Sequence, residues 1–186
     1  MLATYDKNDM KKSGIPTREL INLYEKFADG GFGTIVTGCI IINGKDIEAP
    51  GNVIIDKELD SEERRNAFKE WTQCAKRSGS IIIAQLFHPG KYAADLPHKT
   101  DFNINKLTRK QVGELINEYA YAASYAQQCG FNGVEISCTY FFALGQLISS
   151  DNIRNDEFGG KLENRAKILF KIIQAIRYQF SENFFI

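Results

Sequence analysis

The feature that most constrains this sequence is a strict alternation of predicted helices and strands. Apolar, β-branched runs predict strands at 33–38, 80–86 and 133–136, and residues 183–186 resemble the opening of another strand. Helical spacing of apolar residues predicts helices between them, at about 18–28, 61–76, 108–128 and 162–180. Because alternating elements of this kind build parallel βαβ units, the sequence predicts an α/β protein with a parallel sheet covered by helices.

Short turns lead into each predicted strand, whereas long segments leave it, the longest of them at 137–161. A loop of this length is uncommon in a compact domain unless it has a function. Since the active face of a (β/α)8 barrel is built from the loops that follow its strands, this asymmetry favours a barrel. A doubly wound sheet is the alternative. The glycine-rich run at 30–33 precedes a strand instead of opening a helix, so it lacks the dinucleotide-binding signature.

The first predicted helix illustrates the local signals. Thr17 is a candidate N-cap, because its hydroxyl can accept a hydrogen bond from a free backbone N–H in the first turn. Leu20, Leu23, Tyr24 and Phe27 recur at helical spacing, so we expect one buried face that contains all four.

The charge balance excludes some classes of partner. Lys and Arg together number 23, as do Asp and Glu. This balance gives no electrostatic reason to expect binding to nucleic acid or to an anionic membrane. No apolar run is long enough to span a bilayer, and the N-terminal residues lack the apolar core of a signal peptide. The four cysteines form no CxxC pair, so we expect reduced thiols and a cytoplasmic protein.

Several stretches, in this order and with similar spacing, resemble the old yellow enzyme family. Members of this family are FMN-dependent NAD(P)H:flavin oxidoreductases and ene-reductases. The matching stretches are 14–17 (GIPT), 23–25 (LYE), 30–38 (GGFGTIVTG), 50–52 (PGN), 84–91 (AQLFHPGK), 130–136 (GFNGVEI), 146–149 (QLIS), 152–160 (NIRNDEFGG) and 163–165 (ENR). The resemblance implies a (β/α)8 barrel with FMN at the carboxyl ends of its strands and NAD(P)H as reductant.

The resemblance also implies which part of the barrel is present. A complete barrel takes about 250 residues, whereas this chain has 186. We expect residues 1–186 to form a single incomplete barrel domain with roughly the second to fourth strands, their flanking helices and the start of the fifth. The family's first strand would precede Met1, and the strands that hold the FMN phosphate would follow Ile186.

Two positions match family residues at the flavin. At Gly38 the main chain would approach the flavin ring, because a residue without Cβ leaves room for the ring. Gln85 matches the glutamine that hydrogen-bonds the pyrimidine edge of the flavin, and its amide can both donate and accept. Without the resemblance, Gln85 would be interpreted as a polar residue that caps local backbone.

The family's substrate-polarising positions are changed. Family members carry two histidines, or a histidine and an asparagine, three residues apart after the 133–136 strand, and often a tyrosine two residues later. Here these positions are Ser137, Tyr140 and Phe142. Ser137 and Tyr140 each keep a hydroxyl donor, whereas Phe142 has no proton to give. The segment therefore predicts either weak carbonyl polarisation by Ser137 and Tyr140, with a changed substrate preference, or an apolar plug in a disused pocket.

Other polar residues are interpreted as structural. His88 follows a strand, and we expect neighbouring loop groups to satisfy it. No acidic pair stands at ligand spacing beside His88 or His98, so no metal site is expected. Arg154, Asp156, Glu163 and Arg165 are spaced to pair across the last loop and the start of the following helix.

Three functions remain open. The first is a flavin oxidoreductase that passes hydride from NADH or NADPH to a small-molecule acceptor such as an activated alkene or a quinone, with self-association into a homo-oligomer left open. The second is an inactive truncated barrel that lacks the polarising pair. The third is a barrel enzyme without cofactor, such as an aldolase or isomerase. The absence of a lysine at a strand end, where a Schiff base would form, counts against the aldolase.

Overall fold

The computed structural model describes residues 2–180 and 183–186, and their centre is a five-stranded parallel sheet. Its strands are β1 (Thr34–Val36), β2 (Ile40–Ile41), β3 (Val53–Ile54), β4 (Ile81–Phe87) and β5 (Gly133–Ile136). Strand β4 is central, with β1 and β2 along one side, β5 along the other and β3 beyond β2. Phe185 forms a parallel bridge to Gly133, which confirms the strand start predicted near the end of the chain.

The described residues contain six helices and three short 3₁₀ turns. The helices are α1 (Arg18–Asp29), α2 (Glu62–Lys76), α3 (Arg109–Gln128), α4 (Ala143–Ile148), α5 (Leu162–Arg165) and α6 (Lys167–Arg177). The hydroxyls of Thr17, Ser61 and Thr108 accept backbone N–H groups in the first turns of α1, α2 and α3. The predicted cap at Thr17 is therefore confirmed.

The main core lies between the sheet and the helices. Side chains of β4 alternate, and Ile82, Ala84 and Leu86 face the buried core together with Phe68 and Trp71 of α2. Helix α1 packs on α2, α3 packs on α6, and both α2 and α3 pack against β4. The opposite face of the sheet carries a smaller apolar cluster built from Ile41, Ile47, Ile54 and Phe87.

The sheet is not closed into a barrel. Thr34 and Val36 in β1 are exposed, Val36 to 44%, although this strand belongs to the sheet that was predicted to be covered by helices. That prediction was wrong for β1, because no described residue covers the face on which these two side chains lie. No helix in the described part of the chain has the length and apolar character needed to cross a membrane.

The segment after β5 differs from its prediction. It contains α4, a helix that the sequence did not predict, and the predicted 162–180 helix is broken at Ala166 and ends at Arg177. The two-residue strands β2 and β3 were also missed. Helix α4 and strands β2 and β3 are each too short to show a periodic apolar pattern.

The buried face of α1 was predicted only in part. Leu20 and Tyr24 are buried as expected, but Leu23 and Phe27 are 38% and 37% exposed. Ile21 and Ala28 take their places in the core. The helix is therefore rotated relative to the predicted face, because packing against α2 decides which residues are covered.

Arg64 is a buried charged residue that holds three separate segments of the chain together. Its side chain has no exposed surface. Its guanidinium donates hydrogen bonds to four backbone carbonyls, those of Lys11, Ser13, Ile54 and Leu59. These bonds join the N-terminal segment, β3 and the start of α2.

Candidate functional site

The carboxyl edge of the sheet contains an irregularity beside Gly38. Val36 pairs with Ile83 and Ile40 pairs with Leu86, so the β1–β2 segment has one residue more than β4 across the same stretch. An extra residue of this kind is a β-bulge, and bulges are frequent beside active sites. Gly38 lies in this bulge, and its backbone N–H donates to the Tyr24 hydroxyl at 2.8 Å.

Gly38 borders open space. A Cβ atom added at this position would meet no atom of the described chain within 4 Å. The backbone φ of Gly38 is not positive, so no conformational reason requires glycine there. The bare main chain at the bulge leaves a surface onto which a flat ring can be placed.

Gln85 lies on the sheet face opposite the main core, beside the bulge. Its backbone N–H donates to the Thr37 hydroxyl at 2.9 Å, and Thr37 is 4% exposed. Its side-chain Oε1 accepts from the Cys39 thiol at 3.0 Å, and its Nε2 donates to Glu135 Oε1 at 2.8 Å. The amide is therefore held by neighbours on both adjacent strands. Burial raises the pKa of the Cys39 thiol, which keeps it as a donor.

Ser137 and Tyr140 follow β5 but have different partners. Ser137 is 6% exposed, and its hydroxyl lies 3.1 Å from that of Thr139. Tyr140 is 58% exposed, and its hydroxyl donates to Asp151 Oδ2 at 2.7 Å. The structure thus places both residues at the carboxyl edge, as predicted, but gives each hydroxyl its own protein partner.

Phe142 packs against another aromatic ring, as a residue of the proposed apolar plug would. Its ring lies 4.6 Å from the ring of Phe87, centroid to centroid. Phe87 belongs to the small apolar cluster at the carboxyl end of β4. Phe142 therefore adds to this apolar cluster without contributing a polar group.

His88 is satisfied by its surroundings, as expected. It is 2% exposed, and its Nδ1 accepts the Gly90 backbone N–H at 3.0 Å. Its Nε2 lies 3.6 Å from Asp46 Oδ2, and Asp46 also accepts two hydrogen bonds from Thr100. Burial lowers the pKa of His88 well below its usual range, and the Asp46 carboxylate opposes that effect only in part. His88 is thus a neutral structural histidine.

The charged residues of the last loop pair only in part as predicted. Arg154 and Asp156 form an ion pair, which lowers the pKa of the Asp156 carboxyl. Arg165 instead donates to the backbone carbonyls of Ile148 and Gly160. The predicted pairing of Arg165 with a carboxylate was wrong, because these carbonyls at the end of α4 and in the following bend lie within reach of its guanidinium.

Sequence reasoning missed several partners of the site residues, namely Thr37, Cys39, Glu135 and Asp151. Glu135 could have been found, since it stands two residues before Ser137 and therefore shares its side of β5. Asp151 carried no such signal, because it lies beyond an unpredicted helix. In the described residues no group of three or more His, Cys, Asp or Glu side chains could hold a metal ion.

The residues at this edge fit a flavin ring. Gly38 offers bare main chain next to open space, and the Gln85 amide beside it carries one donor and one acceptor group. The pyrimidine edge of a flavin has both kinds of group, so it can exchange with the Cys39 and Glu135 partners of the amide.

Comparison with known proteins identifies the family. The sequence profile of the NADH:flavin oxidoreductase / NADH oxidase family matches residues 3–186, and the chain belongs to this family. The family's cofactor is FMN and its reductant is NAD(P)H, which confirms the cofactor prediction. The resemblance to old yellow enzymes is confirmed as well.

Two curated relatives show how much of the family this chain represents. It is 32% identical to the NADH-dependent flavin oxidoreductase nadA of Aspergillus parasiticus over 94% of this chain and 44% of that protein. It is also 32% identical to an NADPH dehydrogenase of Clostridium acetobutylicum, over 75% of this chain and 45% of that protein. The chain spans less than half the length of either relative.

Solved structures confirm the fold. A 2-naphthoyl-CoA reductase complex superposes with a TM-score of 0.82 over 97% of this chain and 31% of its own, at 22% identity. Morphinone reductase superposes with a TM-score of 0.80 over 98% of this chain and 55% of its own, at 19% identity. The predicted partial barrel is thus confirmed.

Proposed function

We propose that this chain is part of an FMN-dependent oxidoreductase that passes hydride from NAD(P)H to a small-molecule acceptor such as an activated alkene or a quinone. When bound, FMN supplies the redox chemistry by accepting and donating hydride. The residues of this chain hold and orient the ring and the acceptor. All four cysteines are free thiols, which supports a reducing compartment such as the cytoplasm.

The observation that carries this proposal is the bulge at the carboxyl edge. It brings the main chain of Gly38, which borders open space, beside the Gln85 amide. Gly38 would contact the face or edge of the ring, and Gln85 would hydrogen-bond its pyrimidine edge. The backbone N–H of Gln85 is anchored to buried Thr37, and its side-chain amide is oriented by Cys39 and Glu135 before any ligand binds.

Ser137 and Tyr140 are the candidates for contacts with the acceptor carbonyl. Each holds a hydroxyl proton, Ser137 next to Thr139 and Tyr140 on Asp151. To polarise a carbonyl, Tyr140 would exchange its bond to Asp151 for one to the acceptor. Loss of a well-placed donor of this kind costs on the order of 10²–10³ in rate. An acceptor that needs little polarisation, such as a quinone, therefore suits this site better than a simple enone.

A second candidate is a flavin-family chain without turnover. The Phe142–Phe87 contact and the donation of the Tyr140 hydroxyl to Asp151 favour it, because they leave at most the Ser137 hydroxyl as a donor at the polarising positions. Both candidates belong to the same family, but only the first one catalyses hydride transfer.

The test of FMN binding compares two glycines. Gly38→Val puts a side chain where the ring would lie, and Gly33→Val is the matched control at the other end of β1. Neither Cβ would meet another atom within 4 Å, and neither glycine has a positive φ, so both variants should fold. We expect FMN affinity, measured by quenching of flavin fluorescence, to fall at least about tenfold for Gly38→Val only.

Equal affinities in the two variants would refute the Gly38 contact. Turnover is tested separately, by NADH and NADPH oxidation with a quinone and with an enone as acceptors. Flavin binding without acceptor-dependent oxidation would favour the inactive alternative over the oxidoreductase.

A further inference from the structure

A cavity beside the bulge lies on the main-core side of the sheet. It is bounded by the N-terminal segment, helices α1 and α2 and the loop before β3, and its volume is about 210 Å³. Gly38 and Cys39 form one edge of it, whereas Gln85, on the opposite face of the sheet, does not border it. A water molecule takes up about 30 Å³ in the liquid, so a single water would leave most of this cavity empty.

The cavity wall contains a buried donor without an acceptor. Trp71 lines the cavity and is 1% exposed, and its Nε1–H meets no acceptor within the described residues. Its ring makes edge-to-face contacts with Tyr24 and Phe131, at centroid distances of 5.0 Å and 5.6 Å, which fix the direction of this N–H. Since buried polar groups are nearly always paired, the indole N–H indicates an acceptor atom that comes from a ligand.

Tyr24 supplies a second donor to the same cavity. It is 6% exposed, and its hydroxyl oxygen accepts the Gly38 backbone N–H at 2.8 Å. No atom of residues 2–180 and 183–186 accepts the hydroxyl proton in return. Burial raises the pKa of Tyr24, so the hydroxyl keeps this proton at neutral pH. Two donors on neighbouring rings suit one carbonyl oxygen, because such an oxygen has two lone pairs.

The charge at the rim of the cavity is negative. Glu48 is the only charged side chain of the described residues that lines the cavity. It is exposed, and within the described part of the chain it forms no ion pair and accepts no hydrogen bond. Its loop is held in shape by Asn52, whose Oδ1 accepts the Ala49 backbone N–H at 2.6 Å. A carboxylate without a cation of the protein beside it is available to a cationic group of a ligand.

We propose that this cavity binds a small primary ammonium compound with a carbonyl oxygen close to its nitrogen, of which an α-amino amide is the simplest kind. The carbonyl oxygen accepts from the Trp71 and Tyr24 donors, and the ammonium group pairs with Glu48 at the rim. The apolar part of the ligand packs against Leu20 and Val53. Binding needs neither FMN nor NAD(P)H, so this inference does not rest on the proposed function.

Trp71 is the only tryptophan of the chain, so its fluorescence reports on the cavity directly. The probes are alaninamide and isobutyramide, which differ only in that an ammonium group replaces a methyl group, at pH 6.5, where the amine is protonated. Glu48→Gln removes the charge at the rim. Glu163→Gln is the matched control, because Glu163 is exposed on α5 and does not line the cavity. Trp71→Phe keeps an aromatic ring without the N–H and is measured by titration calorimetry.

We expect alaninamide to change the Trp71 emission saturably and to bind about three- to fivefold more tightly than isobutyramide. Glu48→Gln should abolish this preference, whereas Glu163→Gln should preserve it. Trp71→Phe should weaken both probes about fivefold. Circular dichroism verifies that each variant is folded, and the Glu48→Gln comparison is decisive even if Trp71→Phe unfolds, because Glu48 is exposed. No saturable change in the folded wild-type chain, or an alaninamide preference that survives Glu48→Gln, would overturn the proposal.

Discussion

Glu118 on α3 offers a sharp test of the electrostatics around the carboxyl edge. Its Oε1 accepts from Asn43 Nδ2 at 3.1 Å. Burial, together with the nearby Asp56 carboxylate, raises the pKa of Glu118 from its ordinary value of 4.5 to about 7. Since the folded state binds this proton more tightly than the unfolded state, the fold is penalised when Glu118 ionises. The penalty is absent below pH 4.5, grows between pH 4.5 and 7, and is complete above pH 7.

The magnitude follows from the size of the change. One pKa unit corresponds to about 1.36 kcal/mol, so a rise from 4.5 to about 7 corresponds to roughly 3.4 kcal/mol at pH 8 as an upper bound. Partial access of water reduces this value. We expect Glu118→Gln, which keeps an oxygen for Asn43, to raise the free energy of unfolding by about 1.5 kcal/mol at pH 8 and by under about 0.5 kcal/mol at pH 5.

The assay is urea unfolding followed by far-UV circular dichroism at pH 5 and pH 8. Glu114→Gln is the matched control, one turn earlier on α3, with its side chain 53% exposed and 3.5 Å from Lys110. It should change the free energy of unfolding by less than about 0.5 kcal/mol at either pH. A Glu118→Gln effect that is the same at both pH values, or that is destabilising at pH 8, would refute this account of the carboxylate.

Three further predictions concern structural residues. Because His88 is held neutral in the fold while the unfolded chain takes up a proton below its ordinary pKa of 6.5, stability should fall as the pH drops below 6.5. His88→Asn should flatten that decline in urea midpoints between pH 7 and 5. Arg64→Leu leaves four backbone carbonyls without their donor and should lower the free energy of unfolding by about 3–5 kcal/mol, measured by denaturant unfolding. Gly145→Ala places a Cβ 2.1 Å from the Thr139 carbonyl oxygen. It should cost over about 1 kcal/mol and change the near-UV circular dichroism of the neighbouring aromatic rings.

Each of these predictions has a result that would contradict it. An unchanged pH profile in His88→Asn would mean that another group controls the acid decline. A loss below about 1 kcal/mol in Arg64→Leu would show that water replaces the guanidinium at those carbonyls. Wild-type stability in Gly145→Ala would mean that α4 does not pack tightly on the 139–140 backbone.

The parts of the fold that were predictable have signals that are local in sequence. The strand predicted at 80–86 is found at Ile81–Phe87, and the strand predicted at 133–136 is found at those residues. The cap at Thr17 depends on an interaction across three residues, so the sequence shows it directly. Strong apolar runs and helix caps need little tertiary context.

The parts that were missed depend on tertiary contacts. Helix α4 has six residues and no side-chain cap, and Gly145 within it packs directly on the Thr139 carbonyl. Strands β2 and β3 have two residues each and exist because β4 provides a partner for β2, and β2 provides one for β3. Such elements have too few residues to carry a pattern of their own.

In the candidate site, too, the residue positions were predictable from local signals, whereas their tertiary contacts were not. Gly38, Gln85 and Ser137 could be placed at one edge because the carboxyl ends of parallel strands meet there. Their hydrogen-bond partners could not be predicted, since the contacts of Gln85 with Cys39 and Glu135 join residues 46 and 50 positions apart. The roles of Gly38, Gln85, Ser137 and Tyr140 in binding and catalysis stay predictions.

The central claim, that the carboxyl edge holds a flavin ring, is tested most directly by amide NMR shifts of the isotope-labelled chain during a titration with FMN. We expect the largest shifts at Gly38 and Gln85 and smaller ones near Ser137, with Gly33 unaffected at the opposite end of β1. Shifts confined to the outer helices, or no saturable shifts in the folded chain, would contradict the account.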